Sequence, residues 1–155
     1  PIVVGAAVYG VSAGAWLGFV FGVVVTIAVV TGVDQGGYIM FSARPVMTVL
    51  VCLIKGTAAG LVAGALYRAI GKKHALAGVI VAAAAAPVVN TGLFVLAMVL
   101  FYQPQLQAWA GGTAVATYIV TTLVGVNFLL ELGVNLVLSP TITRLIAAGK
   151  KGPVD

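Results

Sequence analysis

The sequence predicts an all-α integral membrane protein, and three observations carry that reading. Of its 155 residues 62% are apolar and only 7% are charged, with a mean hydropathy of +1.20, a composition unlike that of any soluble domain. Apolar runs of about 20 residues or more recur with few charges, the length a helix needs to cross hydrocarbon. The runs do not alternate apolar with polar side chains, which argues against a β-barrel.

Taken in order, the chain reads as one transmembrane domain over 1–155. Its spans fall at about residues 2–10, 12–31, 46–70, 75–102 and 113–147. The first covers only ~14 Å as a helix, half a bilayer, so it is a short helix or the end of one. Gly10, Ser12 and Gly14 favour a turn after it; the alternative is one long tilted span over 1–31, with four helices in all. Between the spans, Gly32 to Pro45 and Gln103 to Gly112 read as loops rich in turn formers. Gly71 to His74, GKKH, is a short basic turn. The first residue is Pro1 rather than Met, and an even number of crossings with both ends on one side calls for a further helix upstream.

The net charge of +5 reads as topology rather than nucleic-acid binding. Arg68, Lys72 and Lys73 gather at one turn, Arg144, Lys150 and Lys151 at the C-terminal end, and no aromatic residues are interleaved with them. Positive-inside placement makes both regions, including the C-terminus, cytoplasmic in a multi-pass protein of the cell membrane. The two longer connections then face outward.

Polar side chains within the spans are few. Lys55 lies ~13 Å below the outer end of its span, Asn90 ~18 Å and Asn127 ~21 Å, counted at the helical rise. These three are candidates for a shared pocket near mid-membrane. A buried amide offers both donors and acceptors, so Asn90 and Asn127 suit either a small polar metabolite or a neighbouring helix. Asn127, Glu131 and Asn135 recur every fourth residue on one helical face. Glu131 and Asn135 lie deeper, where packing against a helix or a partner subunit fits better than ligand contact. Glu131 is the only carboxylate in an apolar stretch, and such a group in hydrocarbon usually faces a partner, a cavity or a ligand.

In the outer connections, Tyr38, Phe41, Trp109 and Tyr118 are either an interfacial aromatic belt or contacts to solute. Arg44 is a cation on the side where topology gives it no role. It can grip a carboxylate or phosphate, or pair with Asp34. Two glycine ridges, at Gly10, Gly14, Gly18 and Gly22 and at Gly56, Gly60 and Gly64, have the spacing that lets membrane helices approach closely. They serve packing within the bundle or docking of a partner protein. Cys52 is alone, which leaves no disulfide or CxxC chemistry. No HExxH, GxSxG or P-loop spacing is present, so neither catalysis nor a metal site is expected, and any energy for pumping comes from a gradient or a partner.

Four stretches, PIVVGAAVYGVSAGAWLGFVFG, LIKGTAAGLVAGALYR, PVVNTGLFVLAMVLFY and GVNFLLELGVNLVLSPTITRLI, together resemble the substrate-binding S-component of energy-coupling factor (ECF) vitamin transporters. The resemblance implies a six-helix bundle, its first helix missing from this chain. It also implies both termini in the bacterial cytoplasm and a vitamin pocket open to the outside, capped by the outer loops. Implied partners are a transmembrane coupling subunit and two cytoplasmic ATPases; the chain itself holds no cofactor, and ATP is used by the partners. The NTG at Asn90 and the NFLLELGVN run look most like pantothenate-type members. Under this resemblance Asn90, Asn127, Lys55, Arg44, Tyr38, Trp109 and Tyr118 are substrate-binding candidates, and Gly56, Gly60, Gly64, Glu131 and Asn135 face a partner. The competing functions are a stand-alone proton-coupled carrier using Glu131 and a packing protein in which the polar stripe only sets helix register.

Overall fold

A computed structural model describes residues 2–149, apart from the side chains of Leu123, Val126 and Asn127. Lys150 and Lys151, from the expected basic C-terminal cluster, lie outside the described residues. The chain is all α-helical, without a strand among the described residues. In order it forms α1 (Ile2–Tyr9), α2 (Val11–Val30), α3 (Gln35–Ala43), α4 (Pro45–Ile70), α5 (Ala75–Phe101), α6 (Gln103–Ala110), α7 (Val115–Tyr118), a π-helical segment (Ile119–Val126) and α8 (Asn127–Gly149). Four of these, α2, α4, α5 and the Phe128–Gly149 stretch of α8, are long and apolar enough to cross a membrane.

At Gly10 the chain turns rather than running on. Its φ of 98° and ψ of 177° lie in a region essentially reserved for glycine. Beyond the turn α1 folds back on α2, so that a Cβ placed on Gly14 would sit 2.8 Å from the Ala6 Cβ. Gly10→Ala is expected to lower stability by about 1–3 kcal/mol, read as a drop in the thermal unfolding midpoint in detergent. A matching drop is not expected for Gly133→Ala, where the space around a new Cβ is empty.

The glycine ridges meet each other. A Cβ on Gly14 would lie 2.7 Å from the Gly60 oxygen, one on Gly22 2.7 Å from the Cys52 oxygen, and one on Gly56 2.5 Å from the Gly18 oxygen. Gly64 abuts Val11 and Ala6. Of the two readings these glycines admitted, the geometry matches packing within the bundle: the missing side chains of Gly56, Gly60 and Gly64 admit α2 and, at Gly64, Ala6 of α1. Hydrocarbon solvates apolar side chains as well as a neighbouring helix does, so close backbone packing is what holds such helices together.

Both segments expected as outer loops are helical. Asp34 caps α3, its Oδ1 accepting from the Gly37 N–H at 2.9 Å. Pro45 opens α4, where a missing N–H costs nothing. Pro104 lies in the first turn of α6, and Gly111 ends that helix in the left-handed conformation (φ 57°). The turn formers thus sit at helix ends, and buried anchors hold the short helices down: Met40 of α3 and Leu106 of α6 join Met98 and Tyr102 in one apolar cluster. A second cluster at the opposite, GKKH end combines Val3, Ala63, Tyr67, Val79, Ala82 and Ile146.

Candidate functional site

Between the capping helices α3 and α6 and the three spans α2, α4 and α5 lies a cavity of about 260 Å³. Its position follows from helical periodicity. Thr48, Val51, Cys52 and Lys55 line it from α4, at the three- and four-residue spacing of one helical face. Val25 and Val29 do the same from α2, and Phe94 from α5. Asp34, Gly36, Gly37 and Met40 of α3 and Trp109 of α6 roof it, and the π-helical segment contributes Thr122. The two lids meet where a Cβ on Gly36 would come within 3.9 Å of the Trp109 ring.

Lys55 is the cation of this cavity. Its Nζ lies 5.5 Å from the centroid of the Phe94 ring, a cation–π distance. Among the described residues it forms no salt bridge. Ten residues into α4, it lies ~15 Å below the start of that helix. Asp34, the N-cap of α3, also lines the cavity. Its carboxylate, already capping α3, remains exposed at the roof.

Thr48 shapes the wall without offering a proton. Its hydroxyl donates to the Arg44 carbonyl at 2.9 Å, so in the 2.7 Å contact with the Tyr102 hydroxyl the tyrosine donates. Both side chains are fully buried. Thr48→Val keeps the shape but strips Tyr102 of its acceptor, so a loss of about 1–3 kcal/mol of stability is expected. Tyr102→Phe, which leaves the Thr48 to Arg44 bond in place, is expected to cost less; thermal unfolding of the two variants checks the order.

The sequence-selected residues divide between two places. Lys55 and Trp109 line the cavity. Asn90 does not: with Glu131 and Asn135 it lines a separate space of about 190 Å³. That space lies one helical turn farther from the capping helices, as three spans each show by a four-residue step. Val25 gives way to Phe21, Lys55 to Ala59 and Phe94 to Asn90. The amide at Asn90 is thus grouped with the two polar residues of α8 from which it was expected to be separate. Its Oδ1 is buried without a hydrogen-bond partner among the described residues. Asn127 begins α8, but its side chain lies outside those described.

Arg44, Tyr38 and Tyr118 are not among the cavity lining. Arg44 is exposed at the junction of α3 and α4, and Tyr38 is half exposed on α3. Tyr118 packs against the apolar cluster of Met40 and Met98. The Asp34–Arg44 pairing, one of the two alternatives for Arg44, is not formed among the described residues; the Asp34 carboxylate instead accepts from the Gly37 N–H as the cap of α3. Asp34, Thr48, Phe94 and Thr122 were missed as site residues. The signal for two of them was present: Thr48 lies seven residues before Lys55 on one face, and Phe94 lies four residues after Asn90. Asp34 and Thr122 carried no such signal, since a helix cap and a π-helical segment bring them in.

Nothing in the cavity resembles a nucleophile activated by a base. Among the described residues no group of histidine, cysteine or acidic side chains is arranged to hold a metal. The lone buried Cys52 is part of the apolar wall. The arrangement, a small half-enclosed chamber with one cation, aromatic walls and a helical roof, is suited to holding a solute.

A family model described as ECF transporter, substrate-specific component, matches residues 1–143. No individual curated protein and no solved structure matches the chain. With its helical bundle, its apolar spans and a match over nearly its whole length, the chain belongs to the ECF transporter substrate-specific component family: a multi-pass membrane protein that is not an enzyme, takes a small-molecule substrate and works with a membrane-embedded ECF module.

Proposed function

We propose that the protein captures a water-soluble, carboxylate-bearing vitamin, pantothenate first among the candidates, in the cavity beneath α3 and α6. The vitamin arrives from outside a bacterial cell and is delivered with a transmembrane coupling subunit and two cytoplasmic ATPases that supply the energy. The basic GKKH turn supports this orientation, since positive-inside placement puts it in the cytoplasm and the capping helices outside.

One observation carries the reading. An ammonium group sits within an apolar chamber without a carboxylate in salt-bridge contact among the described residues. A cation so placed is costly unless something anionic completes it, and an incoming carboxylate does so. The pantothenate choice adds the likeness of the NTG and NFLLELGVN runs to that branch of the family. In the test, the full-length protein in detergent is titrated with a vitamin panel by calorimetry, without ATP. Saturable heat with one member is expected, together with copurification of ATPase subunits from native membranes; absence of heat with every member rejects the proposal.

A second reading has its own observation. The inner space is lined by Glu131, Asn135 and Asn90, whose Oδ1 has no hydrogen-bond partner among the described residues, a set that suits a proton-coupled carrier acting alone. Uptake into liposomes without any ATPase, abolished by Glu131→Gln, would favour it.

A further inference from the structure

We infer that the cavity selects a monocarboxylate carrying a hydrogen-bond donor at its far end, and that Asp34 imposes the second half of that requirement. The inference rests on the cavity beneath α3 and α6 being the substrate site. Its two charged side chains enter from different elements and at different depths: Lys55 from ten residues into α4, Asp34 from the N-cap of α3. An ammonium group only donates hydrogen bonds, and an ionised carboxylate only accepts them. The Thr48 hydroxyl does not blur this polarity, because its proton is committed to the Arg44 carbonyl.

A solute that satisfies both side chains has to be bipolar. It brings a carboxylate to Lys55 and a hydroxyl, N–H or ammonium group to Asp34. The Gly37 N–H occupies Asp34 Oδ1, but a carboxylate accepts several bonds, and this one is exposed. The rest of the lining is mostly apolar, with Phe94 and Trp109 its aromatic members. A dicarboxylate places its second charge against Asp34, and a cation is repelled at Lys55, so both are selected against by like charge. Because the same carboxylate caps α3, the substrate's distal donor also ties itself to the roof of the site.

The test uses the full-length protein and a panel in which the chemistry varies: pantothenate and biotin as monocarboxylates with distal hydroxyl or N–H donors, folate as a dicarboxylate, thiamine as a cation and riboflavin as a neutral molecule. Pantothenate or biotin is expected to bind most tightly. Asp34→Asn is the decisive variant, since asparagine caps a helix as well as aspartate does and the fold, read by thermal unfolding, stays intact. It is expected to weaken that ligand about tenfold and to reduce the preference over an analogue lacking the distal donors. Tightest binding of folate, thiamine or riboflavin, or unchanged affinity in Asp34→Asn, overturns the inference while leaving a vitamin-binding site in place. Absence of binding by every member instead rejects the site itself.

Discussion

Gly18→Leu is expected to abolish the folded bundle. A Cβ at this position collides with the Gly56 carbonyl oxygen, with the Gly56 carbon 3.0 Å and the Gly60 Cα 3.2 Å away. All three are backbone atoms of α4, and no rotamer change moves them aside. Overpacking a core costs about 1–3 kcal/mol when side chains can adjust. Here two helices have to separate, and the loss exceeds that range. Reversing the geometry gives the same expectation for Gly60→Leu, whose Cβ meets the Gly14 oxygen. The check is the yield of monodisperse protein in detergent and its unfolding midpoint. Gly92→Ala is the control: nothing lies within 4 Å of its new Cβ, and alanine is the better helix former. If Gly18→Leu is produced and melts like the parent, the α2–α4 seam is not as tight as described.

Lys55→Gln has the second large effect, and it falls on binding rather than folding. The side chain makes a cation–π contact to Phe94 but, among the described residues, no salt bridge. Removing it relieves a desolvated charge, so the unfolding midpoint is expected to hold or rise. Losing one partner of a desolvated charge pair costs about 2–5 kcal/mol in a complex, which corresponds to at least a thirtyfold loss of affinity for an anionic solute. Calorimetry at two salt concentrations checks both the loss and its origin. A variant that binds a carboxylate solute as tightly as the parent contradicts the placement of Lys55 against the ligand.

Three long spans, now α2, α4 and α5, were legible, because hydrocarbon imposes a length and a composition that appear directly in the residues; the last, expected unbroken over 113–147, is divided into α7, the π-helical segment and α8. The glycine at position 10 also announced its turn, and the two ridges announced close packing. Which surface the ridges meet was not legible. Glycines four residues apart promise a close approach, but only the folded chain shows that Gly56 and Gly60 are met by Gly18 and Gly14 rather than by another protein. The two capping helices were hidden for a related reason. In Asp34 to Pro45 and Gln103 to Gly111, the same residues that break helices also begin and end them. The difference is made by Met40 and Leu106, which are buried against Met98 and Tyr102 from elsewhere in the chain.

The candidate site divides in the same way. Lys55 and Trp109 stood out as a cation in an apolar run and an aromatic in a polar one. Depth along a helix, which the helical rise supplies, put Lys55 and Asn90 within one turn of each other but did not separate their cavities. Rotation about the helix axis and the way neighbouring helices seat against one another assign Phe94 to the chamber of Lys55 and Asn90 to that of Glu131. Sequence by itself determined that this protein is a membrane bundle, because the cost of exposing polar groups to hydrocarbon is paid residue by residue, while its likeness to the S-components lay in four stretches taken together. Only the tertiary structure decided which polar groups share a chamber, because that depends on contacts between segments far apart in the chain.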